Sequence, residues 1–138
     1  MPSKGIEVEI SAGEFVDKLT ILRIKKQRIS DPEKAANVLR EHDLLQHRFD
    51  ESIVRTSELD ALVVRLDEVN QAPWDIDAAI REKERAKTFD DEFISTARSV
   101  YVQNDRRAAI KREINVLLDS SVVEEKSYAD YGSDGQGP

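Results

Sequence analysis

Cysteine is absent from the 138-residue chain. No disulfide scaffold, thiolate metal site or cysteine nucleophile can be built from it. Histidine appears twice, at His42 and His47. Five residues apart, the two miss the i, i+4 spacing of a helical metal pair, so no metal is expected. Gly (5) and Pro (4) are scarce, and aromatic residues make up only 6%. Few helix breakers together with 36% charged residues favour long helices over a sheet. No apolar run reaches membrane-spanning length, and no basic start leads into an apolar stretch. The expectation is a soluble, cytoplasmic protein with no membrane insertion. Gly-rich phosphate loops, a GxSxG elbow, HExxH and zinc-ligand spacings are all missing, so no cofactor is implied. The net charge of -7 argues against sequence-independent nucleic-acid binding, although 21 Lys and Arg leave room for a local basic patch.

What is present suits one domain. Residues 1–128 read as a single helical domain, and the Gly- and Asp-rich residues 129–138 as a disordered tail. The predicted fold is mainly α, a helical bundle of four or five long helices. A short β clip is expected to pair the N- and C-terminal segments. Ile6, Val8 and Ile10 alternate with Glu7 and Glu9, as in a strand, and residues 122–128 are the natural partner. The other reading is two extended tails lying on the bundle.

Ser11-Ala12-Gly13-Glu14 is a capping-box pattern that opens the first helix, which runs to about Ile29. Its stripe is Phe15, Leu19, Leu22 and Ile29, with Lys26 inside it. Val16, Ile21 and Ile24 lie on other faces, so the helix is central in a bundle or part of an oligomer interface. Asp31 and Pro32 start a second helix ending near Asp50. Ser57 is the expected cap of a third, with Leu59, Leu62, Val63, Leu66 and Val69 inward. Pro73 predicts a kink, or two helices meeting near Ala72. Asp90 or Asp91 caps the last helix.

That last helix carries the chain's most informative irregularity. At about 100° per residue, Phe93, Ala97, Val100, Ile114 and Leu118 form one stripe. Asn104, Lys111 and Asn115 fall in its middle and Arg107 at its edge. A line on the third helix, Asn70, Trp74, Asp77 and Arg81, runs beside the apolar stripe there. A buried ammonium needs a partner, and Asp77 is the candidate for Lys111. Together these eight residues form a candidate pocket for an anionic or hydroxyl-rich small molecule. The competing reading is a polar network that only fixes helix register, with Lys111 snorkelling outward.

Four stretches together resemble a family of small bacterial proteins of unknown function, sometimes found near genes for lipopolysaccharide or surface-sugar assembly. They are GEFVDKLTILRIKKQRI, VNQAPWDIDAAIREKE, SVYVQNDRRAAIKREIN and VEEKSY, and the likeness spans residues 7–128. Pro73 departs from the family pattern, which has a large apolar residue before the Trp. The resemblance implies no activity. It points to Asp17, Lys18 and Thr20 in the first helix, and to Trp74, Asn104, Asp105, Arg107, Lys111 and Asn115.

The function expected from all this is a non-enzymatic interaction or accessory protein, a homodimer because the first helix is apolar on several sides. The alternative is a protein, catalytic or not, that binds an anionic or sugar-nucleotide-like ligand in the inter-helical polar pocket.

Overall fold

A computed structural model describes residues 4–127, and every structural statement below concerns those residues. Four helices follow one another: α1 (Ala12–Arg28), α2 (Pro32–Ser52), α3 (Ser57–Arg85) and α4 (Asp91–Leu117). The caps explain the boundaries. Ser11, Asp31, Thr56 and Asp90 each accept a hydrogen bond from a backbone N–H three residues on. For α3 the cap is thus Thr56, one residue earlier than expected.

α3 runs unbroken through Pro73. Of the two forms expected there, the single helix is the one adopted. α3 and α4 both end in Schellman geometry. Lys87 and Asp119 take the left-handed conformation (φ 56° and 52°). Thr88 N–H reaches Lys83 O at 2.9 Å, and Ser120 N–H reaches Asn115 O at 2.9 Å. The first of these turns, closed by Asp90, folds α3 and α4 into an antiparallel hairpin.

α1 is the hub, and the other three helices all pack on it. Val16 and Leu19 of α1 meet Phe49, Leu59, Leu66, Ile110 and Ile114 in one buried cluster. α1 is buried on further sides through Leu22 and Ile24, so the apolar residues expected on its several faces make it central.

No strand forms, and the expected β clip is corrected accordingly. The two extended segments do approach, since Ser121 Oγ donates to Glu9 Oε1 at 3.0 Å. They meet through side chains and build no ladder. Ile6 and Val8 are 90% and 73% exposed, so the alternation has no face to bury and nothing sets a register. Tyr128 and the predicted tail, 129–138, lie outside the described residues.

α1 and α4 cross closely at Gly13. A Cβ on Gly13 would sit 2.2 Å from Lys111 O, a backbone atom that cannot swing aside. Gly13→Ala is therefore expected to lower the unfolding free energy by about 3 kcal/mol, as overpacking does. Urea denaturation with unchanged slope measures it.

Candidate functional site

The polar residues converge on the root of α1, where α4 crosses it. Asp17 is fully buried. Its Oδ1 accepts from Asn70 Nδ2 of α3 at 2.8 Å. From α4, Arg107 Nε donates to both carboxylate oxygens at 3.1 and 2.9 Å, and Arg107 Nη2 also donates to Oδ2. One carboxylate thus ties three helices. The hydrogen bonds it donates to Asp17 hold the Arg107 guanidinium above its ordinary range, against the effect of burial; the nearby charges of Asp17, Glu14 and Glu124 add to the rise.

One turn along α4, Lys111 Nζ sits 2.5 Å from Glu14 Oε2 and 3.5 Å from Glu124 Oε1. The Glu14 carboxylate serves this ion pair, while the capping box predicted it would turn back to Ser11. Other residues of the α4 end cap α1 instead. Asn115 Oδ1 accepts from Gly13 N–H at 2.6 Å, and Ser120 Oγ accepts from Ala12 N–H at 3.0 Å. Ser11 supplies the next two acceptors, with its Oγ at 3.1 Å from Glu14 N and its carbonyl at 3.0 Å from Phe15 N. The N–H groups of Ala12, Gly13 and Glu14, which no intrahelical carbonyl can serve, are thus satisfied, and Phe15 makes the first i→i−4 bond of the helix.

Of the eight residues expected to form one pocket, four belong to this network: Asn70, Arg107, Lys111 and Asn115. Trp74, Asp77 and Arg81 lie farther along α3, and Asn104 stands at the edge of the network. Asp77 is exposed and pairs with Arg81 along its own helix at 2.8 Å. It does not serve Lys111, because its position on α3 lies two turns beyond Asn70, past the crossing with α1. Trp74 is half-buried and holds the Arg28 guanidinium 5.5 Å from its ring centre, a cation–π contact at the root of the hairpin. Asn104 is exposed and borders one of the cavities beside Lys111.

Among the secondary candidates, Asp17 is the anchor. Thr20 is buried, and its hydroxyl donates to Val16 O at 3.0 Å. Lys18 and Lys26 are exposed and Asp105 is half-buried. Sequence reasoning missed Gly13, Glu14, Ser120, Glu124 and Lys126 as participants. Gly13, Asp17, Thr20 and Ile24 share one face of α1 at spacings of four, three and four. A glycine and an acid on a buried face were the legible signal for a close, charged crossing.

The residues that bind α1 to α4 fall in the stretches that resemble a known family, and the scan of family models agrees. The chain belongs to a family of unknown function, DUF6165, whose model matches residues 6–135. No curated protein and no solved structure matches it. Family membership therefore supplies no chemistry, and the geometry has to.

The geometry is of a satisfied network. No buried side-chain nitrogen or oxygen among the described residues lacks a hydrogen-bond partner. Removing Asp17 strands the half-buried Arg107 guanidinium, so Asp17→Ala is expected to cost about 3–5 kcal/mol. Lys111→Met leaves Glu14, whose side chain is 25% exposed and can hydrate, and should cost about 1 kcal/mol or less. Urea melts of the two variants give the order; Lys111→Met as the costlier change would refute Asp17 as the anchor.

Glu124 brings a pH dependence. The Lys126 ammonium foremost, with Lys111 behind it, holds its carboxyl below the ordinary value of 4.5. A depressed carboxylate contributes fully above the unfolded value and loses its contribution as pH falls through the folded one. The segment around Glu124 should stay docked at neutral pH and loosen only below about pH 4.5. NMR shifts of residues 121–126 followed from pH 7 to 3 check this, with Glu124→Gln expected to flatten the transition.

Proposed function

We propose that the protein is a non-enzymatic interaction or accessory protein that works as a homodimer through the hairpin of α3 and α4. The observation that supports this is a long stretch with no fully buried side chain. Across residues 71–109 not one residue is buried. α3 and α4 have 29 and 27 residues, against 17 in α1. At 1.5 Å per residue, α3 is roughly 43 Å long and α1 roughly 25 Å. The distal hairpin therefore stands beyond the bundle as a two-helix arm.

Two helices alone cannot enclose a core, and this pair leaves large apolar groups in solvent. Phe89, Ile94, Val100 and Tyr101 are 40–56% exposed. Two such arms related by a two-fold axis complete a four-helix bundle. Charge favours a second copy as the occupant. The chain has 28 acidic and 21 basic residues, whereas residues 71–109 carry eight acidic and seven basic. The arm is thus nearly neutral in an acidic protein, and its mixed signs can pair with themselves across the axis. A bacterial setting in surface-sugar assembly rests on the resemblance alone.

Light scattering after size exclusion is expected to give twice 15.7 kDa at micromolar concentration. Ile94→Glu with Tyr101→Glu, one heptad apart on the arm, should halve that mass and leave the helical circular dichroism in place. A wild-type mass of one chain, or a double variant that stays associated, refutes the proposal.

A further inference from the structure

Two adjoining cavities, about 230 and 280 Å³, open beside α4 near Lys111. Ala108, Lys111, Glu124 and Lys126 line both, so the Glu124–Lys126 pair is part of the wall of each. The geometry points to a binding site for a small anion, a phosphate monoester or a carboxylate, whose place on Lys111 the Glu124 carboxylate occupies in the free protein.

Two of the cations, Lys111 and Arg107, are held in place independently of Glu124. Lys111 is positioned by Glu14 at 2.5 Å, and its side chain is only 10% exposed. Arg107 spends Nε and Nη2 on Asp17. Its Nη1 makes no hydrogen bond among the described residues, its side chain is a third exposed, and it lines the second cavity. Asn104 adds an amide on the same wall. These groups sit on α4, a rigid element anchored to α1 by a buried ion pair.

Glu124 is held far more loosely. It belongs to the extended segment after α4, whose nearest backbone tie is the Val122 carbonyl accepting from Ser120 Oγ at 2.6 Å. Its carboxylate is 3.5 Å from Lys111 and 2.7 Å from Lys126. The neighbouring tie, Arg112 to Glu125 at 3.1 Å, joins two exposed side chains. Val123 next to it is 43% exposed, so little apolar packing fixes Glu124, and its carboxylate can swing off Lys111 while Lys126 stays on the cavity wall. Exchanging the Glu124 carboxylate for a free anion keeps the local charge balanced. It also clears a carboxylate from the wall of both cavities, which adjoin through their shared lining.

A dianionic phosphate gains more than a carboxylate does. It brings a second charge toward Lys126 and Arg107 Nη1 that Glu124 cannot supply. Because Glu124 is tethered, it competes as an intramolecular ligand, and the apparent affinity falls by the fraction of time the site is free.

The test titrates the full chain with inorganic phosphate, and separately with acetate, at constant ionic strength, reading the amide shifts of Asn104 and Lys111. Saturable shifts with millimolar phosphate are expected in the wild type. Glu124→Gln should tighten binding at least threefold by removing the competitor's charge. Lys126→Gln, an exposed change, should weaken it at least threefold. Stronger saturation by phosphate assigns the site to phosphate monoesters, and equal or stronger saturation by acetate assigns it to carboxylates. Glu124→Gln binding no tighter than the wild type, or no saturable shift in either protein with either anion, overturns the inference. None of the variants touches the arm, so an unchanged solution mass separates this outcome from that of the proposed dimer.

Discussion

The fold depends on a carboxylate that water cannot reach. Asp17 sits at the crossing of α1, α3 and α4 with no exposed surface. A bare charge there would be prohibitive. It is tolerated because Arg107 and Asn70 surround it with donors from two other helices. The pair gives little net stability over an apolar replacement, since desolvation offsets most of the attraction. What it provides is register. Sliding α4 by one turn along α1 would strand Asp17 and Arg107 together, and would also pull Asn115 from Gly13 N–H and Lys111 from Glu14. Several penalties fall at once for one displacement, so a single alignment is selected.

Gly13 belongs to the same constraint. The helices approach closely enough for Lys111 O to occupy the space of a side chain. That closeness lets the short Asn115 amide reach the first turn of α1. The α1 N-terminus is thereby capped by the C-terminal end of α4, so a local need for acceptors is met by a tertiary contact. Helix formation and helix packing are consequently coupled at this end of the bundle.

Much of this was legible before the structure, and the failures share a cause. Ser11, Asp31 and Asp90 mark helix starts because capping is a local matter, set by the side chain and the next three residues. The polar line on α4 was equally plain, as periodicity on one helix is local too. Its partner was not. Asp77 looks suitable for Lys111 on a wheel, but a wheel carries no information on where two helices cross. α1 covers only the root of the long hairpin, so acids on α1 and on the segment after α4 reach Lys111, and Asp77 is left in solvent. The strand expected at residues 6–10 failed for a similar reason. Alternation specifies a strand only when one of its faces has something to cover.

The contrast between the two ends of the hairpin decides where function is to be sought. At the root every buried side-chain nitrogen and oxygen is hydrogen-bonded, and a shift of register would break several of those bonds at once. At the tip the helices are held by local devices: the left-handed turn at Lys87, the Asp90 cap, and Lys83 bridging Asp90 and Glu92 at 2.9 and 3.4 Å. Such devices define the helices while leaving Phe89, Ile94, Val100 and Tyr101 largely in solvent. A segment with few buried contacts lies at the low end of local stability, where ordering by a partner has most to gain. The satisfied root therefore suits a site that must hold cations in fixed positions, while the exposed apolar side chains of the arm are the surface that the proposed association would cover.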